Sequence, residues 1–242
     1  MLYWGQTVGI VPCGDSFVYV GEDANGKQRR FVLKPGEEPK VLPLTWKQDV
    51  FYGSESSVWY TEGGKIHSIG LNGKNKRRLG SVQGKIEGAL SDSSIVIANY
   101  DSNTISVWKD GKLTVLYTFP DNKFGVMPVN DSIWLRRSGH FGRLVNGELR
   151  DCWAGYTSAE ARTAHQLVFL VRDQIGADEA RVLLIDDLTR SYAWLGRVPY
   201  NNGFVSQWIE LHRDHVVYYN GLDERHVLAI PTDESAWTAY EN

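Results

Sequence analysis

The segment Ser56-Ser57-Val58-Trp59-Tyr60 joins two turn-forming residues to three apolar residues, and this pattern recurs along the chain. The other copies are Asp15-Ser16-Phe17-Val18-Tyr19, Ser93-Ser94-Ile95-Val96-Ile97, Asp131-Ser132-Ile133-Trp134-Leu135, the looser Gln166-Leu167-Val168-Phe169-Leu170, and Asp214-His215-Val216-Val217-Tyr218. Their first apolar positions are separated by 41, 37, 38, 35 and 48 residues. A period of about forty residues is typical of four-stranded sheets arranged around an axis.

The distance from the last repeated segment round to the first also equals about one repeat. Counting from Val216 through the C-terminus, and on from the N-terminus to Phe17, gives 43 residues, which is one further unit. The pattern therefore predicts an all-β fold: a six-bladed β-propeller of four-stranded antiparallel blades, with residues 1–242 as a single domain. A β-sandwich of similar strand content is the alternative architecture.

Further apolar runs place the other strands of each unit. An inner strand precedes each repeated segment, and a second apolar run follows it. The second runs are residues 31–33, 66–69, 105–108, 143–145, 182–185 and 227–230. Asn72-Gly73, Asp110-Gly111 and Asn146-Gly147 then predict tight hairpin turns, because Asn, Asp and Gly tolerate positive φ. One segment fits poorly: residues 157–165 have helical propensity, which indicates a short helix or an irregular inner strand.

The unit from Val58 to Leu79 resembles one repeat of the TolB-like and YWTD-like six-bladed β-propellers. It contains an aromatic strand, the Gly63-Gly64 turn, an Ile-centred strand, the Asn72-Gly73 turn and a terminal Leu. The other five units share the spacing more than the residues. The resemblance implies a fold and no activity, because those propellers serve as transport accessory proteins, receptors, peptidase domains and lactonases.

Composition and charge argue against several classes of protein. The chain is 42% hydrophobic and 12% aromatic, which suits a large packed core, and its net charge of −3 argues against a basic nucleic-acid binder. No apolar run is long enough to cross a membrane, and the N-terminus lacks the pattern of a secretory signal. Cys13 and Cys152 are expected to be buried thiols. The sequence therefore predicts a cytoplasmic protein that binds neither nucleic acid nor membrane.

Catalytic motifs are not apparent. The sequence contains no GxSxG, HExxH, Walker A or helix-opening GxGxxG motif. His212 and His215 form one close pair, which a hairpin turn explains without a metal ion. We therefore expect no catalytic residue, no metal site and no cofactor. Recurrent acids before the repeated segments are expected to cap turns.

Basic residues recur with the period of the repeat. Lys47, Lys85, Lys123 and Arg162 are separated by 38, 38 and 39 residues, and Tyr200 follows 38 residues later. In a propeller the inner strands surround a central channel, so residues at the starts of these strands would lie around one mouth of it. The positive charges there would attract an anionic ligand or an acidic partner surface. The alternative is that lysines, which are common in loops, recur at the repeat spacing by chance. The same face is expected to carry Tyr100, Arg137, His140, Tyr156 and Asn201.

The opposite face is expected to collect acids from the hairpins: Glu37, Glu38, Asp131, Glu148, Asp187 and Asp233. The function favoured by the sequence is a non-enzymatic protein-interaction propeller that binds an unidentified partner through the channel mouth, for example as an immunity or assembly factor. Two alternatives stay open: a lectin-like small-ligand binder, and a metal-dependent lactonase or hydrolase.

Overall fold

The computed structural model describes residues 10–121, 124–137, 139–163, 165–200, 208–220 and 224–240, and their strands form six antiparallel sheets. The first sheet contains β1 (Val11–Cys13), β2 (Ser16–Glu22), β3 (Gln28–Leu33) and β4 (Lys40–Thr45). The second contains β5 (Asp49–Gly53), β6 (Ser57–Glu62), β7 (Lys65–Gly70) and β8 (Arg77–Ser81). The third contains β9 (Lys85–Ala89), β10 (Ile95–Asn99), β11 (Thr104–Lys109) and β12 (Lys112–Thr118).

The remaining sheets vary in strand number. The fourth contains β13 (Phe124–Val129), β14 (Ser132–Arg137), β15 (His140–Val145) and β16 (Glu148–Ala154). The fifth contains β17 (Tyr156–Arg162), β18 (Gln166–Arg172), β19 (Glu179–Asp186), β20 (Ser191–Pro199) and β24 (Thr238–Ala239). The sixth contains β21 (Trp208–Leu211), β22 (His215–Tyr219) and β23 (Arg225–Ala229) among the described residues.

The predicted all-β fold class is confirmed. The repeated apolar segments lie in β2, β6, β10, β14, β18 and β22, which are the second strands of the six sheets. Chain neighbours pair within each sheet, so the strands do not form the two large sheets of a sandwich. A short 3₁₀ turn, Glu234–Ala236, precedes β24. In the part of the chain that the structure describes, no helix is long and apolar enough to span a membrane.

The chain divides into two compact units. Residues 1–89 and 95–115 form unit 1, and residues 90–94 and 116–242 form unit 2. Within unit 1 the first strands β1, β5 and β9 lie next to one another, and within unit 2 β17 lies next to β21. Adjacent first strands are the packing that propeller sheets require. The single-domain organisation stays a prediction.

Each unit has its own apolar core. In unit 1 the side chains of Val58 and Tyr60 pack with Leu42 and Leu44 from the first sheet. In unit 2 Trp134, Phe141 and Phe169 are buried together, as expected for residues between sheets. Each large apolar side chain that is fully buried stabilises the fold by about 1.5–3 kcal/mol relative to an exposed one.

Of the predicted turns and the predicted helix, two turns agree with the structure. Asp110-Gly111 and Asn146-Gly147 have positive φ at both residues, as two-residue hairpin turns need. At Asn72-Gly73 only Gly73 has positive φ, and the connection from β7 to β8 is longer than a tight turn. The helical alternative for residues 157–165 is wrong, since residues up to Arg162 extend β17, with a bulge after Thr157.

Candidate functional site

The starts of β5 and β9 lie at one end of unit 1. Asp49 pairs with Thr61, so β5 begins beside the β6–β7 hairpin. The backbone N–H of Val82, just before β9, donates a 3.3 Å hydrogen bond to the carbonyl oxygen of Gly64 in that hairpin. Lys47 and Lys85 therefore lie at the same end of unit 1. We call this end the first strand-start surface; it comprises Trp46, Lys47, Lys65, Lys85, Glu87 and Tyr100.

Lys47 and Trp46 form an exposed cation–aromatic pair. Lys47 lies in the turn between β4 and β5, with its Nζ 5.8 Å from the centre of the Trp46 ring. Trp46 is 52% exposed, which is unusual for an indole. No carboxylate among the described residues forms an ion pair with Lys47. The charge and the ring are thus both available to a partner.

Glu87 holds two predicted site residues in place. Its Oε2 accepts a 2.9 Å bond from Lys85 Nζ, and its Oε1 accepts a 2.9 Å bond from the Tyr100 hydroxyl. The Glu87 side chain is only 9% exposed, whereas that of Lys85 is 67% exposed. Pairing along β9 shifts register at Glu87, so this residue occupies a bulge. Bulges often redirect side chains beside functional sites.

The first strand-start surface is mixed in charge. Lys76 Nζ lies 2.9 Å from Glu62 Oε2, which lowers the pKa of the Glu62 carboxyl. On the surface itself, Lys85 forms an ion pair with Glu87. Lys65, at the start of β7, forms no ion pair among the described residues. Two unpaired lysines, Lys47 and Lys65, therefore share this surface with the paired Lys85.

Unit 2 repeats this arrangement at the starts of its own strands. The N–H of Gly155, just before β17, donates a 2.9 Å bond to the carbonyl of Gly139 in the β14–β15 hairpin. Arg137 and His140 pair with each other across that hairpin. The first residue of β17, Tyr156, lies at the same end by its backbone. We call this end the second strand-start surface; it comprises Arg137, His140, Tyr156, Arg172 and Tyr200.

Tyr200 is positioned by contacts within unit 2. It follows β20, and its N–H donates a 2.6 Å bond to the carbonyl of Asp178. The guanidinium carbon of Arg172 lies 4.2 Å from the centre of the Tyr200 ring, a close cation–π contact. Arg172 pairs with Tyr156 between β17 and β18. The predicted Tyr156 and Tyr200 thus share one end of the fifth sheet.

Arg162 does not occupy the predicted position. It is the last residue of β17, so it lies at the opposite end of that strand from Tyr156. The repeat spacing misplaced it because the repeated segments at Ile133 and Val168 are only 35 residues apart, so this strand already begins at Tyr156. Lys123 and Asn201 lie outside the described residues. The predicted set of four therefore loses Arg162, and of the remaining three cations the structure describes Lys47 and Lys85, at one end of unit 1.

Several residues of these surfaces were missed by the sequence reasoning. Trp46 and Lys65 were not singled out, and neither was Arg172. A usable signal was present for Lys65, because it directly follows the Gly63-Gly64 hairpin turn at a predicted strand start. The bulge at Glu87 had a weaker signal, the isolated glycine Gly88 that directly follows it in the strand.

The histidine pair is a turn feature, as expected. His212 and His215 close the β21–β22 hairpin, and their rings stack with centroids 4.6 Å apart. His215 Nδ1 lies 2.7 Å from Asp214 Oδ1, which lowers the pKa of Asp214. Among the residues that the structure describes, no three His, Cys, Asp or Glu side chains are grouped so as to hold a metal ion.

Comparison with known proteins identifies the fold. No protein-family model matches the chain, and no curated protein matches its sequence. Among solved structures, a catalytically inactive virginiamycin B lyase from Staphylococcus aureus with quinupristin is similar, with a TM-score of 0.54 and 15% identity over 94% of this chain and 82% of that one. A streptogramin B lyase gives 0.50 and 15%, over 86% and 77%.

A third similar structure is YCF48 from Cyanidioschyzon merolae. Its TM-score is 0.52 with 12% identity, and the match covers 89% of this chain and 75% of that one. These proteins share a β-propeller fold with the present chain. At such low identities the likeness concerns the fold alone, because one fold carries many functions. The number of blades and the TolB-like type stay predictions.

Proposed function

We propose that this protein is a non-enzymatic interaction module that binds an acidic surface of a partner protein through its first strand-start surface. The observation that carries the proposal is the grouping of Lys47, Lys85 and Tyr100, from different sheets, at one end of unit 1. Such a module suits an immunity or assembly factor, in which a rigid scaffold presents variable loops.

The chemistry of the surface supports protein binding. Trp, Tyr and Arg dominate interface hot spots, and Trp46 and Tyr100 supply two of these residue types here. Glu87 fixes Lys85 and Tyr100 before a partner arrives, which reduces the entropy lost on binding. The unpaired charges of Lys47 and Lys65 would steer an acidic surface toward it.

The test first captures partner proteins from the source cells on the immobilised wild-type protein. The affinities of the wild-type protein and of its variants for the captured partner are then measured. We expect the wild-type protein to retain a partner and Lys47→Glu with Lys65→Glu to bind it at least about tenfold more weakly, a change of about 1.4 kcal/mol. Lys74→Glu with Lys112→Glu is the matched control, since it reverses the charge of two exposed lysines outside this surface. Equal affinity of the double variant, or the lack of any partner, would contradict the proposal.

A second candidate function is lectin-like ligand binding. Trp208 is 47% exposed, and its ring stacks on Tyr219 with centroids 4.4 Å apart and planes 19° apart. A flat, exposed indole backed by a second ring is a platform on which a sugar can stack. A glycan array should then bind the wild-type protein and Trp46→Ala but lose signal with Trp208→Ala. Unchanged binding by Trp208→Ala would exclude this platform.

A further inference from the structure

The outer strand of the third sheet, β12, has an exposed edge. Among the described residues it pairs with β11 and with no other strand. Its first four residues, 112–115, are all exposed, with Leu113 at 45% and Val115 at 57%. From Leu113 to Phe119 the chain carries no charge and consists mainly of residue types that favour strands. An uncharged outer strand of this kind is open to pairing with another strand.

The other sheets protect their outer strands. β4 contains Pro43, which cannot donate a backbone hydrogen bond, and β20 is paired with β24 at one end. The remaining protection is by charged residues: Arg77 and Arg78 on β8, Glu148 and Arg150 on β16, Arg197 on β20, and Arg225 on β23. Proline, cover and charge are the means by which natural proteins prevent pairing between edges. Among the described outer strands, β12 is therefore the one that lacks all three beyond its first residue, Lys112.

The edge of β12 is fixed at both ends. The two-residue turn Asp110-Gly111, with positive φ at both positions, joins it to β11. Just beyond its other end, Phe119 is only 3% exposed, and the ring centres of Phe119 and Phe124 lie 3.9 Å apart. Tyr117 packs edge-on against Phe119. The strand is thus already extended and anchored before any pairing, which reduces the entropy lost on association.

We propose that β12 pairs with β12 of a second copy of this chain, antiparallel and about a twofold axis at Val115. In this register Leu113 lies opposite the partner's Tyr117, and Lys112 lies opposite the partner's Thr118. The single charge of the strand therefore never faces its own copy, and like charges directly opposite each other would destabilise a ladder. This self-complementarity is the reason that the edge fits a second copy.

Pairing of this kind stops at two chains. The twofold axis uses the β12 edge of both copies, and no other outer strand among the described ones is unprotected. The contact is small, because the seven residues of β12 span about 24 Å and a sheet is about 10 Å thick. Such a strip is well below the area of a standard protein interface. The dimer is therefore weak and forms at high protein concentration.

Sedimentation equilibrium of the full-length protein, from about 10 µM to about 1 mM, tests the proposal in the range expected for a weak interface. We expect the weight-average mass to rise from that of one chain toward that of two. Val115→Lys places two lysines opposite each other at the twofold axis, so it should weaken association at least about tenfold.

Val227→Lys is the matched control. Val227 is 56% exposed on the outer strand β23, and this variant should associate as the wild-type protein does. Because both valines are more than half exposed, both variants should keep the circular dichroism spectrum of the wild-type protein.

Amide hydrogen exchange locates the contact. Exchange of the β12 amides should slow as the protein concentration rises, whereas the β23 amides should exchange at an unchanged rate. Four results would overturn the proposal: the mass of one chain throughout the range, equal association of Val115→Lys, growth beyond two chains, or dimerisation without protection of β12. Since β12 is not part of the first strand-start surface, failure of the partner-binding proposal would leave this one standing.

Discussion

At the level of single residues, Trp134 is the most informative core position. It is fully buried on β14, and its ring stacks on Phe141 at 5.2 Å and Trp153 at 6.0 Å, with Tyr240 edge-on at 5.4 Å. We expect Trp134→Ala to lower the free energy of unfolding by about 3–5 kcal/mol, because the ring leaves a large cavity. Urea unfolding followed by circular dichroism measures this change.

An exposed tryptophan provides the control. Trp46 is 52% exposed, so Trp46→Ala should change stability by no more than about 0.5 kcal/mol. A cost below about 1 kcal/mol for Trp134→Ala would mean that the fourth and fifth sheets do not pack as described. Comparing the unfolding free energies of Trp134→Ala and Trp46→Ala distinguishes the effect of losing a buried indole from the effect of losing an exposed one.

The buried Tyr218 and the partly buried Tyr240 predict that the protein loses stability in alkali. Burial raises the pKa of Tyr218 to about 12, and burial with the hydrogen bond to Asp187 raises that of Tyr240. In the unfolded chain both titrate near 10. The unfolded chain therefore loses these protons first, so the stabilisation is complete below pH 10 and falls as the pH rises toward 12.

The slope of stability against pH measures this effect. Each such tyrosine contributes up to about 1.4 kcal/mol per pH unit within that range. Unfolding free energies at pH 9, 10 and 11 should fall less steeply for Tyr218→Phe with Tyr240→Phe than for the wild-type protein. Identical slopes would show that neither hydroxyl is shielded from solvent.

At the level of strands, β9 depends on the residue that precedes it. Gly84 has φ +113°, and a Cβ at this position would lie 2.6 Å from the carbonyl oxygen of Ala98. Gly84→Ala should therefore cost about 1–3 kcal/mol and disturb the start of β9, where Lys85 and Glu87 lie. Thermal unfolding and the affinity for the partner should both change.

Gly26→Ala is the matched control for Gly84→Ala. Gly26 also has positive φ, at +71°, but nothing lies within 4 Å of the added Cβ. Its cost should be about 1 kcal/mol or less, from backbone strain alone. If the two variants are equally stable, the close approach to Ala98 does not constrain β9.

Strand existence was predictable, whereas strand ends and side-chain positions were not. Apolar runs between turn residues determine the second strand of every sheet, because that strand lies inside its sheet and contributes buried side chains to the core. Residues 156–162 lack such a run, and their helical propensity is overridden by pairing with β18. Arg162 was placed at the wrong end because the repeat interval is short here, and the only local sign of the bulge at Glu87 is the glycine that follows it, Gly88.

At the level of the whole chain, the C-terminal strand joins a sheet that is distant from it in sequence. The sequence does not determine its pairing, and in the structure β24 pairs with β20 at the outer edge of the fifth sheet. Such an edge is open to several strands of similar composition, so pairing depends on tertiary contacts rather than on propensity. Here those contacts come from Tyr240.

Tyr240 fixes the C-terminal strand to the core of unit 2. Its hydroxyl donates a 2.7 Å bond to Asp187, its N–H donates a 3.0 Å bond to the Arg190 carbonyl, and the Arg143 guanidinium lies 4.8 Å from its ring centre. Asp187 is only 4% exposed. Removing Tyr240 would leave a buried carboxylate without this donor, which is costly.

Deletion of residues 233–242 should therefore loosen unit 2 while leaving unit 1 intact. We expect amide hydrogens of β20 to exchange faster, since Ser191 and Tyr192 lose their partners Ala239 and Thr238. Amides of β5, β6 and β7 are the internal reference and should exchange at the wild-type rate. The full-length variant Tyr240→Ala should produce a smaller change at the same amides, because the strand pairing remains. If β20 stays protected in the deletion, β24 does not stabilise this sheet; faster exchange throughout both units would instead mean that the C-terminal strand is required for the whole fold.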